Sequence, residues 1–236
     1  MIFLNFGHTV RSAHHRAMIT ILYARCSDAR MEPALYAHRL ARIPQSMQAQ
    51  VRRYRKWQDA QACLAGKILL QNGLESLTND ADALSRICYN EFGRPFMPGS
   101  SLDFNISHAG AYVVCALGGS QRVGIDLECV RPVDIELFRN QVSLHDWNLI
   151  CAAPDKTNAF YEYWTRREAV AKADGRGLGV PFSGMAASGG AVCLDGETWH
   201  LQNVPFASGY ACHLAASQPG PFRLINATVA FWMDAP

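Results

Sequence analysis

Residues 101–128 read SLDFNISHAGAYVVCALGGSQRVGIDLE. Three apolar, β-branched runs, 101–107, 111–117 and 122–128, are separated by the turn-rich links HAG and GGSQ. Short runs joined by such links read as strands of an antiparallel meander. Side chains alternate across a strand. In the third run Val123, Ile125 and Leu127 therefore enter a core, and Asp126 and Glu128 project together from the other face.

Strands flank this meander at a distance, with helices between. MITILYA, 18–24, is a plausible first strand. From Pro33 to Leu77 the pattern turns helical, with Tyr54, Trp57, Leu64, Ile68 and Leu69 near helical spacing and Gly73 as a stop. Beyond Pro132 a polar helical stretch covers about 134–152. A second helix runs over about 158–174, with Asn158 as N-cap and Gly175 and Gly177 as stops. The runs AVCLDG, TWHLQNV, GYACHLAAS and ATVAFWM, within 180–233, read as further strands. Strands mixed with helices, without regular βαβ alternation, predict an α+β fold.

The chain has 236 residues, 49% hydrophobic and 18% charged, enough for a buried core. No apolar run approaches the roughly 18 residues of a membrane span. Arg11, His14, His15 and Arg16 interrupt the front, which speaks against a signal peptide. The net charge of +2 conceals an asymmetry: residues 1–60 carry +7 and the remainder −5. Such a front suits either a solvated basic helix face or an anionic partner. Eight scattered cysteines without a CxxC pair read as small buried hydrophobes in a reducing, cytoplasmic setting. HExxH and zinc-ligand spacings are absent.

Three stretches carry chemistry. Two carboxylates at i and i+2 on a strand repel unless a cation lies between them, and hard divalent cations such as Mg²⁺ take oxygen ligands of this kind. Asp126 and Glu128 therefore read either as a plain acidic strand face or as metal ligands. In the helix around FYEYWTRREAVAK, Trp164, Glu168 and Lys172 share one face. A surface Glu–Lys pair there is worth only about 0.2–0.5 kcal/mol. A carboxylate beside an aromatic cluster, however, needs a partner, and Arg167 and Lys172 are placed to hold phosphates. Ser107 and His108 are adjacent, so their side chains diverge, and no GxSxG elbow exists to make a serine hydrolase. His108, at a strand end, and Arg94, in Gly93-Arg94-Pro95, are candidate anion contacts. Neither GxxxxGK[ST] nor GxGxxG is present.

GRP (93–95), FNISHAG (104–110), VGIDLE (123–128) and WTRREAVAKADGRGL (164–178), in that order, together resemble the 4′-phosphopantetheinyl transferases of the Sfp type. RRYRKWQDAQACLAGKILL is similar to that family's N-terminal helix, and the resemblance spans about residues 18–215. It implies two similar α+β halves with pseudo-twofold symmetry, 1–118 and 119–236, with a coenzyme cleft between them. It implies Mg²⁺-dependent transfer of the phosphopantetheine arm of coenzyme A to a serine of an apo acyl or peptidyl carrier protein, releasing adenosine 3′,5′-bisphosphate. The resemblance assigns Asp126 and Glu128 to the metal, and Glu168 to the metal, to the role of base for the carrier serine, or to both. Lys172, His108 and Ser107 fall to the coenzyme phosphates, and Arg94 to the nucleotide's 3′-phosphate region.

This chain departs from the family pattern at Arg167, where lysine is usual, and at Ala109, where a hydroxyl is usual. Arg167 keeps an electrostatic role toward the coenzyme but is poorly suited to shuttling a proton. Of the basic residues before Asp59, Arg53 is the candidate nucleotide contact, with Arg52 and Arg55 beside it; residues 1–17 have no counterpart. The expected partners are coenzyme A and a carrier protein, with neither nucleic acid nor membrane, and one chain carries every motif, so a monomer suffices. A non-catalytic module binding coenzyme and carrier, or a Mg²⁺-dependent phosphohydrolase, are the rival readings.

Overall fold

The computed structural model describes residues 18–26, 28–180, 185–188 and 190–228. The segment 1–17 and most of ATVAFWM lie outside them. The chain opens with strand β1 (Ile19–Arg25), then helices α1 (Pro33–Ala41), α2 (Gln45–Arg52) and α3 (Trp57–Thr78). The single helical stretch expected over 33–77 is therefore three helices. Pro44 separates the first two, since its ring removes an N–H donor, and the basic link 53–56 precedes the third. A short hairpin, β2 (Cys88–Tyr89) and β3 (Pro95–Phe96), leads to β4 (Phe104–Ala109), β5 (Tyr112–Leu117) and β6 (Val123–Cys129).

A 3₁₀ segment, Ile135–Gln141, and α4 (Leu144–Ala152) replace the one helix expected over 134–152; Ser143 caps α4 by accepting from Asp146 N. Helix α5 (Lys156–Asp174) begins two residues before the expected Asn158. Its N-cap is Asp155, whose carboxylate accepts from Asn158 N at 2.9 Å. It ends at Gly175 with φ +95°, the left-handed cap that glycine adopts without a Cβ penalty. Strands β7 (Ala186–Ser188), β8 (Ala191–Leu194), β9 (Glu197–Asn203), β10 (Tyr210–Ala216) and β11 (Phe222–Asn226) complete the fold.

The strands form a four-stranded sheet, β11-β1-β5-β4, and a five-stranded sheet, β6-β10-β9-β8-β7. The same order is built twice. A first strand (β1, then β6) is followed by a long helix (α3, then α5) and an antiparallel pair (β4-β5, then β9-β10). The last strand of each pair lies antiparallel to the first strand. After the second set the chain returns, and β11 pairs parallel with β1 in the first sheet.

Strand alternation sets four layers. Leu22, Ala24, Val113, Cys115 and Phe104 face α1–α3. Ile19, Ile21, Val114 and Ala116 meet Val123, Ile125, Leu127, Cys212 and Leu214 from the second sheet. The other face of that sheet packs on α5. The polar face expected of β6 is thus not open to solvent: Asp126 is only 4% exposed. Gly124 explains the close approach, because a Cβ there would run into the backbone of Ala169 and Ala173 on α5.

Candidate active site

The two sheets meet where β4 runs beside β6, and the seam is made by side chains. Asp103, Asn105 and Ser107 each accept a hydrogen bond from a backbone N–H of the neighbouring strand: Val123 N at 2.7 Å, Ile125 N at 3.0 Å and Leu127 N at 3.2 Å. The i, i+2 spacing on both strands brings these pairs into step. Asp126 thereby lies opposite Ser107, whose hydroxyl donates to Asp126 Oδ1 at 3.0 Å. Lys172, from α5, reaches both: its Nζ lies 2.5 Å from Asp126 Oδ1 and 3.0 Å from Ser107 Oγ.

The lysine of the 164–172 face therefore pairs with a strand carboxylate and makes no ion pair with Glu168 among the described residues. Glu168 stays half-buried, and its carboxyl is raised above the ordinary range by burial and then by the negative charge of Asp126, with Lys172 opposing. Glu128 is raised further, to about 7, by burial first and Asp126 second; Glu168 adds to this, and Lys172 and Arg131 oppose. Asp126, Glu128 and Glu168 thus sit close enough to feel one another's charge.

Among the described residues no three acidic, histidine or cysteine groups already converge with metal-ligand spacing. The donor chemistry nevertheless fits a hard divalent cation. Asp126 Oδ2 is buried without a hydrogen-bond partner among the described residues, and the two neighbouring carboxyls are raised by burial and then by the charge of Asp126, both of which a cation would offset.

His108 is the exposed neighbour of buried Ser107, as strand alternation requires. Its imidazole is lowered by desolvation and by the charge of Lys172, while Asp59 at the start of α3 acts oppositely. His108 thus lies near enough to both Lys172 and Asp59 to feel their charges. Arg52, Arg53, Arg55 and Lys56 are all exposed just before that helix. Arg53 lines a cavity of about 340 Å³ with Gln50, Tyr54 and Cys63, between α2 and α3. Lys67 Nζ donates to Gln50 at the same junction, at 2.9 Å.

Two expected phosphate contacts are engaged otherwise. Arg94 is clamped on Asp103 by both terminal nitrogens, at 2.9 and 2.7 Å, and its Nε donates to the Lys172 carbonyl at 2.9 Å. Arg167 is 3% exposed. It bonds Asp146 at 2.7 Å and lies over the Tyr163 ring at 4.2 Å, so it ties α5 to α4 and does not join the cluster. Helical geometry gives the reason: Arg167 and Glu168 are about 100° apart around α5, so the two cannot both face the seam.

The sequence reading missed Asp103, Asn105 and His213. His213, 2% exposed on β10, stands opposite Asp126 in register. Arg166 Nε donates to its Nε2 at 3.2 Å, so the ring's proton lies on Nδ1, 2.8 Å from Thr165 Oγ1. Burial and then Arg166 lower this imidazole to about 3. The signal that could have found it is a histidine inside the otherwise apolar run YACHLAA; Asp103 and Asn105 were visible as the polar alternate positions of β4.

A family model described as the 4′-phosphopantetheinyl transferase superfamily matches residues 122–212, and one for the N-terminal part of such transferases matches residues 31–119. A Haemophilus influenzae relative that carries the same family name is 31% identical over 177 residues, 69% of this chain and 74% of the relative. The chain belongs to this superfamily. The 4′-phosphopantetheinyl transferase Sfp of Bacillus subtilis is 28% identical over 178 residues, 71% of this chain and 79% of the relative. A holo-[acyl-carrier-protein] synthase of Thermotoga maritima overlays 40% of this chain and 61% of its own, at 18% identity and a TM-score of 0.32. The boundary between the two superfamily matches falls in the turn before β6, so the seam joins the end of one matched segment to the start of the other.

Proposed function

We propose that the protein transfers the 4′-phosphopantetheine group of coenzyme A to a serine hydroxyl of an apo acyl or peptidyl carrier protein, with Mg²⁺ as cofactor. The observation that carries this reading is the convergence of Lys172, Asp126 and Ser107 at the seam, with Glu128 and Glu168 beside them. Binding alone does not call for three mutually repelling carboxylates next to a lysine. Asp126, Glu128 and Glu168 would hold the cation, which when bound supplies charge neutralisation for the coenzyme pyrophosphate.

The chain's own residues do the rest. The carrier serine oxygen bonds to the phosphorus that bears pantetheine, and the pyrophosphate P–O bond breaks. The leaving group is adenosine 3′,5′-bisphosphate. Phosphoryl transfer needs positioning and charge stabilisation more than covalent help. Lys172 and His108 face the developing charge. Glu168 takes the serine proton directly or through a water, a role for which its raised affinity for protons suits it. Arg52, Arg53, Arg55 and Lys56 offer exposed positive charge to the nucleotide phosphates, and the halves 1–118 and 119–236 would meet on either side of the coenzyme.

The test is mass spectrometry of a panel of apo carriers incubated with coenzyme A, Mg²⁺ and the folded protein. One carrier gaining one phosphopantetheine is the expected result. Coenzyme binding without mass gain on any carrier would favour a non-catalytic module, and bisphosphate release without a carrier would indicate a hydrolase.

A further inference from the structure

The guanidinium of Arg94 touches three elements that carry the candidate active site. Its terminal nitrogens grip Asp103, the residue before β4, at 2.9 and 2.7 Å. One of them also donates to the Val123 carbonyl, at the start of β6, at 3.1 Å. Its Nε donates to the Lys172 carbonyl on α5 at 2.9 Å. Asp103 closes the ring by accepting from Val123 N at 2.7 Å. Both charged side chains are 13% exposed.

Lys172 O is one of the last four carbonyls of α5, which have no partner inside the helix. Arg94 supplies one, and its charge sits favourably at the negative end of the helix. Arg122 does the same one step on, donating to the carbonyls of Ala173 and Asp174. The fit is close: a Cβ on Gly175 would lie 2.6 Å from Arg94 Cδ, and Asn90 from the same hairpin donates to Gly175 O at 3.2 Å.

We propose that Arg94 and Asp103 act as a positioning pair, and that Arg94 is not a ligand of the coenzyme's 3′-phosphate. The pair fixes β4, β6 and α5 against one another, and so fixes Ser107, Asp126 and Lys172, which those elements carry. Arg94 has its fork committed to Asp103, Val123 and Lys172. An arriving phosphate would have to displace a half-buried carboxylate to bind there. Lysine cannot replace it, because a single ammonium does not span a carboxylate and two carbonyls as the planar fork does.

This inference rests on the transfer reading above. Its test compares Arg94→Lys, Arg94→Ala, Asp103→Asn and the double variant Arg94→Ala/Asp103→Asn with wild type. Each is assayed for transfer from coenzyme A and from 3′-dephospho-coenzyme A, and each coenzyme is titrated calorimetrically. Asp103→Asn is isosteric and guards against a fold defect; urea midpoints identify the folded variants.

The positioning pair predicts kcat down tenfold or more in every folded variant, including Arg94→Lys. It predicts the wild-type ratio of KM, and of Kd, between the two coenzymes. The double variant should be no worse than the poorer single one, because the two residues act as a unit. Collapse of the coenzyme A preference in the Arg94 variants, rescue by lysine, or wild-type kcat in folded Asp103→Asn would each overturn it. Failure of wild type itself to modify any carrier would instead strike the transfer reading.

Discussion

Lys172 Nζ lies 2.5 Å from Asp126 Oδ1, and the two arrive from different layers, α5 and the buried β6 strand beneath it. The side chain on this carboxylate is a cation that also touches Ser107, so three elements close on one oxygen. Replacing the lysine by methionine keeps the stem and removes the charge. Lys172→Met should lower kcat about a hundredfold, the scale set by losing one charge-stabilising donor in an enclosed site. It should also lower the urea midpoint, since Asp126 would keep only its Ser107 bond among the described partners. Steady-state transfer kinetics and urea melts check both, and unchanged kcat would remove Lys172 from the proposed site.

Arg167 separates two accounts of the same motif. Its place beside Glu168 invites a coenzyme role, but its guanidinium is buried on Asp146 and Tyr163. Breaking a buried ion pair by removing one partner costs about 3–5 kcal/mol. Arg167→Ala should therefore lose stability on that order in urea unfolding. Its KM for coenzyme A, measured on the folded fraction, should stay within twofold of wild type. A large rise in KM with little change in stability would restore the phosphate role.

How far the sequence reached follows from which signals are local. The meander at 104–128 was legible because turn residues and alternation are written side by side, and β4, β5 and β6 fall within a few residues of expectation. The helix end at Gly175 was equally local. Strand β11 was missed because FRLIN carries no strong alternation and owes its place to parallel pairing with β1, some 200 residues away. Asp126 and Glu128 were visible as alternate positions of one strand, but the burial of Asp126 was not, since it depends on α5 covering β6 at Gly124. Arg94 and Arg167 show the sharper limit: a basic residue in a motif signals a charge, while its partner, Asp103 or Asp146, is chosen only by packing.

Gly124 is the tightest point of that packing. Its missing Cβ is the space occupied by the Ala169 carbonyl and the Ala173 amide, which are backbone and cannot rotate aside. Overpacking typically costs about 1–3 kcal/mol, and more where nothing can yield. Gly124→Ala should thus sit at or beyond the upper end, about 3 kcal/mol, and should reduce transfer by lifting α5 and Lys172 from Asp126. Thermal melts and kinetics read both effects, and a folded variant with wild-type activity would show that α5 can shift without consequence.

The charge of Glu128 gives a pH dependence whose sign is fixed. Its carboxyl rises from an ordinary 4.5 in the open chain to about 7 in the folded one, through burial and Asp126. The folded state then binds the extra proton, so stability from this group is full below pH 4.5 and is lost as pH climbs to about 7. His213 works oppositely: held near 3 against an ordinary 6.5, it destabilises the fold increasingly as pH falls below 6.5. In chelator the two slopes oppose each other between pH 4.5 and 6.5, so Glu128→Gln should turn the flatter wild-type profile into the rise with pH that His213 imposes. A divalent cation added to wild type at pH 7.5 should recover the stability that Glu128 forfeits, because it neutralises the same charge. Urea midpoints at pH 5.5, 6.5 and 7.5, with and without Mg²⁺, measure both. Parallel wild-type and Glu128→Gln profiles would place the proton on another group.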